Sequence, residues 1–122
     1  MRFMMIIKPP ASAYATKPDH KDLQAMGRYN DELRRAGVLL EVNGLAAPTD
    51  GATLRFSGAK RTVLDGPFSE SKELIGGYWI IQVRSKEEAM EWAKRIPIGT
   101  ECHLNDEVDV EVRRIVEPGE LV

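Results

Sequence analysis

The sequence has little cysteine and little histidine. Its single cysteine, Cys102, cannot form an internal disulfide, and it gives no paired-cysteine redox motif. The two histidines, His20 and His103, do not occur at spacings typical of a metal site. A phosphate-binding loop, a dinucleotide fingerprint and a nucleophile elbow are also absent. We therefore predict no bound metal and no cofactor.

Long hydrophobic runs and an excess of basic charge are also lacking. The longest apolar run, residues 3–7, is far shorter than the ~20 residues that span a bilayer, and we expect no signal peptide before it. We therefore expect no membrane partner and a cytoplasmic location. The formal net charge of −2 and pI near 5.7 argue against a nucleic-acid partner, since no basic face accumulates.

The length and composition are those of one globular unit. A chain of 122 residues with 43% hydrophobic and 30% charged residues can bury a core without disulfides. No linker or internal repeat divides it, so residues 1–122 are predicted to form a single domain.

The hydrophobic pattern predicts six strands and two helices. Asp19 and Asp22 resemble a capping box at the start of the first helix, and Gly37 is placed to end it. Its apolar stripe is Leu23, Met26, Tyr29 or Asn30, Leu33 and Ala36. The second helix begins with a capping box in which Glu88 reaches back to the amide of Ser85, carries Ala89, Trp92, Ala93 and Ile96, and stops at Pro97. The strands are predicted at residues 3–7, 38–42, 53–56, 61–64, 78–83 and 108–112.

This order predicts an α+β, ferredoxin-like βαββαβ fold with an inserted β-hairpin at residues 53–64. Two helices cover one face of such a sheet, yet the first strand and the strand after Gly77 are apolar at both parities. The cheapest cover for the second face is the same face of another copy, which predicts a homodimer with the sheets facing each other. The alternative is that the hairpin folds back over this face.

Several segments of the chain resemble the YCII-related proteins, and in particular the subgroup with an Asp-Gly-Pro-Phe motif. The motif itself is residues 65–68, within a specific block at residues 63–79. The other matching segments are residues 26–33, 36–40, 44–45 and 85–93. The resemblance implies a dimeric α+β barrel, related to muconolactone isomerases and small cofactor-free monooxygenases. A His–Asp pair suggested for some branches does not align with His20 or His103.

The motif block supplies the candidate catalytic residues, Asp65 and Lys72. Asp65 could be a buried general base, although a carboxylate before Gly66-Pro67 also caps a turn by accepting backbone hydrogen bonds. Lys72 could hold an anionic substrate or stabilise developing negative charge, but it could equally form an ion pair with Asp65 or Glu73.

Six further residues are candidates for ligand binding. Three of them also have a structural alternative. Phe68 can anchor the loop by packing, Gly76 can allow a close backbone approach, and Tyr29 can be a core residue with its hydroxyl at the edge. Tyr78 and Trp79 must face opposite sides of the sheet. The full set of ligand-binding candidates is Tyr29, Phe68, Glu73, Gly76, Tyr78 and Trp79.

Two functional hypotheses follow. In the first, the protein is a dimer whose pocket binds or senses a small molecule without catalysis. In the second, the same pocket is the site of a cofactor-free isomerase, lyase or monooxygenase with Asp65 as the general base. The sequence leaves the reaction, the ligand and the pathway open.

Overall fold

The computed structural model describes residues 1–9, 19–64, 74–98 and 108–121 of the chain. The helices within these ranges are α1 (His20–Arg35) and α2 (Lys86–Lys94). The strands are β1 (Arg2–Lys8), β2 (Leu39–Gly44), β3 (Thr53–Ser57), β4 (Lys60–Leu64), β5 (Gly77–Gln82) and β6 (Asp109–Arg114). Short 3₁₀ turns occur at Pro48–Asp50 and Pro118–Leu121. Neither α1 nor α2 has the length and hydrophobicity that a bilayer crossing requires.

The main sheet has four strands in the order β2-β5-β1-β6, and every neighbouring pair is antiparallel. Its two central strands, β1 and β5, are the strands that carry apolar residues on both faces. This pattern is typical of strands that are covered on both faces. With α1 following β1 and α2 following β5, this is the ferredoxin-like α+β arrangement predicted from the sequence.

Both helices lie on one face of this sheet. Residues of alternate parity on β1 and β5 pack there against the helices and form the hydrophobic core. The largest fully buried side chains are Met5, Leu33 and Ile81, one each from β1, α1 and β5. The core also contains Phe3, Tyr29, Val38, Trp79, Val83, Ala89 and Ile96.

The helix ends largely match the prediction. The Asp19 and Asp22 carboxylates each accept a backbone hydrogen bond from the other residue, at 2.9 and 3.1 Å, which completes a capping box. Gly37 follows α1 with a φ of 74°, the left-handed conformation that favours glycine. Of the two hydrogen bonds in the capping box predicted at the start of α2, one is confirmed and the other is wrong. Ser85 Oγ accepts from the Glu88 amide, but the Glu88 carboxylate accepts from the Arg84 amide instead of that of Ser85.

The buried stripe of α1 also differs from the prediction at its two ends. Leu23 is 60% exposed and Ala36 is exposed, whereas Asp22, Ala25, Tyr29 and Leu33 are buried. The stripe therefore starts one residue earlier. At this first buried position, the Asp22 carboxylate accepts from the Asp19 amide as part of the cap.

The inserted hairpin β3–β4 projects from the body of the protein. Every residue from Leu54 to Val63 is exposed. Its turn contains Gly58 with a φ of 60°. Leu54, Phe56 and Val63 lie on one face of this hairpin at 58%, 65% and 58% exposure. Such exposure is inconsistent with the alternative in which the hairpin folds back over its own sheet.

The face of the main sheet opposite the helices carries a narrow apolar strip. Met4, Ile6, Tyr78 and Ile80 alternate with the core residues along β1 and β5, and all four are half-buried. We call these four residues the open face. Charged residues of the edge strands, Glu41 and Glu111 among them, lie beside the strip.

Candidate functional site

A cavity of about 180 Å³ lies between α1 and the end of the sheet where β2 and β5 pair. Helix α1 contributes Met26 and Asn30, both half-buried. The other lining residues come from β1, β2 and the start of β5: Ile7, Val42, Asn43, Gly44, Gly76, Gly77, Tyr78 and Trp79. The cavity surface is mostly apolar, which suits a small, largely apolar ligand.

Trp79 lines this cavity and is held by polar and aromatic contacts. Its indole Nε1 donates a 2.7 Å hydrogen bond to Asn30 Oδ1. The ring of Tyr29 packs edge-on against it, with centroids 5.6 Å apart and planes at 85°. Because the indole is only 3% exposed, its N–H needs this partner, so Asn30 fixes the orientation of Trp79.

Tyr29 supports the site from behind and does not line the cavity. It is 3% exposed, and its hydroxyl donates a 2.6 Å hydrogen bond to the backbone carbonyl of Trp92 in α2. Burial raises the pKa of the Tyr29 phenol above its ordinary value. A phenol that stays neutral and donates to a carbonyl has a structural role, which is the core position considered in the sequence analysis.

Gly76 and Gly77 line the cavity, but their lack of side chains has a separate packing reason. A Cβ on Gly77 would lie 2.8 Å from the carbonyl oxygen of Asn43, and one on Gly76 would lie 2.9 Å from Pro9 Cγ. The amide of Gly76 also donates to the carbonyl of Ile7 at 2.8 Å. The double glycine therefore lets β5 start in close contact with both β1 and β2.

The two adjacent aromatic residues of β5 face opposite sides of the sheet, as their parity predicts. Trp79 faces the helices and the cavity, whereas the Tyr78 hydroxyl interacts with the second face. It donates to Glu41 Oε2 at 2.8 Å and accepts from Asn43 Nδ2 at 3.0 Å. Tyr78 thus borders the cavity, but its phenol is engaged with the edge strand β2.

Four of the predicted site residues, Asp65, Phe68, Lys72 and Glu73, lie outside the described residues. The chain is described again from Leu74, which is 5% exposed, and the next residues lead directly into the cavity wall at Gly76. The Asp-Gly-Pro-Phe block is therefore joined in sequence to one wall of the cavity.

The sequence analysis did not single out the polar residues of the cavity. Asn30 appeared there only as an alternative to Tyr29 on the helix stripe, and Asn43 was placed just after the predicted strand at residues 38–42. An amide on the apolar side of a helix is a signal for a buried hydrogen bond. Its partner, the indole of Trp79, lies 49 residues away in sequence and is brought close only by the fold.

The described residues contain no group of three or more His, Cys, Asp or Glu side chains that could hold a metal ion. His20 is exposed at the start of α1, where its Nε2 lies 3.1 Å from Gln24 Nε2. It is not among the residues that line the cavity.

The fold and the cavity together define a small α+β protein with a ferredoxin-like sheet and a site between helix and sheet. Residues 1–115 match the YCII-related domain, so the chain belongs to the YCII-related family. A similar protein is an uncharacterized protein of Rhizobium meliloti (strain 1021), which is 30% identical over 110 residues, covering 90% of this chain and 87% of that protein.

Proposed function

We propose that this protein is a homodimer that binds a small molecule in the cavity between α1 and the sheet. The observation that carries the proposal is the lining itself, which is mostly apolar and includes the Asn30 amide, positioned by its hydrogen bond to Trp79. Its Oδ1 is occupied by Trp79, and its amide nitrogen hydrogen-bonds no other described residue. This leaves a donor for one acceptor on a ligand.

The chemistry of the described lining favours a neutral, compact ligand. Tyr78 is the single ionisable residue within it, and its hydroxyl is already paired with Glu41. A volume of about 180 Å³ accommodates one ring or a short branched chain. A small aromatic or polyketide-like molecule with a carbonyl or hydroxyl oxygen directed at Asn30 matches these properties.

Nuclear magnetic resonance can test the site by following the Trp79 indole N–H while monocyclic phenols and ketones are added. Binding in the cavity should shift this resonance. Met26→Trp should fill the cavity and abolish the shift. Leu23→Trp is the matched control, because Leu23 lies one turn earlier on α1 and is 60% exposed. Binding that survives Met26→Trp with unchanged affinity would contradict the proposed site.

The second candidate function is cofactor-free catalysis in the same cavity, with Asp65 as general base and Lys72 stabilising negative charge. It is favoured by the direct sequence connection between the Asp-Gly-Pro-Phe block and the cavity wall at Gly76. Asp65→Asn should then abolish turnover of a bound ligand while leaving its affinity within a few fold. A protein that binds ligands but transforms none of them, with or without Asp65, is a binding protein.

We also propose that a second copy covers the open face, so that the two sheets face each other. Both helices pack on the opposite side, and the four apolar residues of the strip each retain solvent contact in the isolated chain. The same strip on a two-fold related copy is apolar as well and matches it in chemistry. Sedimentation equilibrium should give the mass of a dimer, and Ile80→Lys should shift it toward the monomer.

A further inference from the structure

The projecting hairpin has an apolar face that nothing in the described part of the chain covers. Leu54, Phe56 and Val63 form this face, together with Arg61, whose guanidinium lies 4.1 Å from the centre of the Phe56 ring. A two-stranded hairpin is marginally stable in water by itself. Three large apolar side chains more than half exposed on such an element indicate a surface that packs against another molecule.

The hairpin is also one-sided in charge. Residues 53–64 contain three of the 17 cationic residues and none of the 19 acidic ones. The remainder of the chain therefore has 14 cationic and 19 acidic residues, a formal net charge of −5. Arg61, the cation on the apolar face, donates to the backbone carbonyls of Gly58 and Lys60 and forms no ion pair with any described residue. A basic arm thus extends from an acidic body.

This charge separation identifies the occupant. A nucleic acid or an anionic lipid surface would attract the arm but repel the body that brings it there. A second copy of this chain offers an acidic body and, beside it, the apolar strip of the open face. We propose that the hairpin of each copy packs against the margin of the open face of its partner, an inference that rests on the proposed dimer.

Glu41 is the acid that we assign to receive the Arg61 guanidinium of the partner's hairpin. It is exposed at the edge of the open face, and its carboxylate accepts from the Tyr78 hydroxyl but contacts no cation among the described residues. By contrast, Glu111 on the other edge is already paired with Lys8 at 3.3 Å and Arg113 at 3.2 Å. In a two-fold dimer this contact occurs twice.

The test is the dimer dissociation constant of the full chain, measured by sedimentation with the fold checked by circular dichroism. Phe56→Ser and Val63→Ser should each raise it at least tenfold. Thr62→Ala on the opposite face of the hairpin is the matched control and should leave it unchanged. Raising NaCl from about 0.05 to about 0.5 M should weaken the wild-type dimer. Arg61→Gln should lose most of this salt dependence, as should Glu41→Gln, whereas the double variant Arg55→Gln, Lys60→Gln, on the same face as Thr62, should retain it.

The outcomes separate this inference from the dimer on which it rests. A wild-type protein that is monomeric overturns both. A dimer that is unaffected by Phe56→Ser and Val63→Ser overturns the hairpin contact alone. The hairpin contact is also overturned if the protein binds anionic phospholipid vesicles or duplex DNA, and if Phe56→Ser abolishes this binding while the dimer persists unchanged.

Discussion

The pairing of Asn30 with Trp79 shows how one polar residue organises an apolar site. The indole N–H is buried, and leaving such a donor without a partner costs about 1–3 kcal/mol. Asn30 is the partner of this N–H, and its carboxamide therefore lies in the wall of an otherwise apolar cavity. In the binding function that we propose, the same amide that stabilises the fold orients the ligand.

The close backbone approach at the double glycine gives a prediction at this scale. Gly77→Ala should destabilise the protein by about 1–3 kcal/mol, because the new Cβ would lie 2.8 Å from the Asn43 carbonyl oxygen, a rigid backbone atom. Gly44→Ala is the control, since a Cβ there meets nothing within 4 Å. Urea unfolding measures both. Equal stability of the two variants would show that β2 and β5 can separate to accommodate the methyl group.

At the scale of elements, the edge of the sheet at β6 is tied to the rest of the protein by ion pairs. Arg2 in β1 binds Glu117 at 2.9 Å, and Arg114 binds Glu120 in the 3₁₀ turn Pro118–Leu121 at 2.6 Å. The hydrogen bond from Arg2 lowers the pKa of the Glu117 carboxyl, and that from Arg114 lowers the pKa of Glu120. These pairs lie at the surface, so each contributes little by itself.

Their effect on stability should appear at acid pH. A carboxyl whose folded-state pKa is depressed stabilises the fold above its unfolded-state pKa, and this contribution is lost as the pH falls through the folded-state value. We therefore expect stability to decrease below about pH 4.5. The double variant Glu117→Gln, Glu120→Gln should show a shallower decrease, measured by thermal unfolding across pH. Glu91→Gln, in an exposed pair on α2, is the control. An identical pH profile in the double variant would argue against the pairs.

The molecule as a whole has two surfaces that its own described residues leave without cover, the open face and the apolar face of the hairpin. Both contain large apolar side chains, and both are bordered by charge of a definite sign. Covering these surfaces in an assembly would remove their large apolar side chains from water. The net charge of −2 is small for a protein of this size.

Dimer formation predicts that thermal stability depends on protein concentration. If the folded dimer dissociates and unfolds together, a tenfold rise in concentration should raise the unfolding midpoint by a few degrees, because association adds free energy to the folded state. Differential scanning fluorimetry over a dilution series measures this. Ile80→Lys in the open face should remove the dependence. A midpoint constant over two decades of concentration would be expected of a monomer.

Local sequence patterns were sufficient to predict most of the fold. Strand parity in residues 3–7 and the cap residues Asp19 and Gly37 depend on neighbours a few positions away, so their effects can be worked out along the chain. The errors have the same local origin. Leu23 has the spacing of a core residue but lies just outside the buried arc, and the Glu88 side chain had two amides within reach.

The candidate site was less predictable, since its residues come from three strands and a helix. Sequence reasoning selected Gly76, Tyr78 and Trp79, all of which border the cavity, because they adjoin a distinctive motif. It placed Tyr29 with them, although that side chain packs behind Trp79. It missed Met26, Val42 and Asn43 as lining residues, since nothing in their local pattern distinguishes a cavity wall from a packed core.

The sequence by itself determined the α+β order of elements, the family and the apolar character of both sides of the central strands, because each depends on residue type and spacing. Tertiary structure alone decided which amide meets the Trp79 indole, why a glycine is needed beside Asn43, and that the hairpin projects away from its own sheet. These depend on distances between segments far apart in the chain, which a linear pattern does not contain.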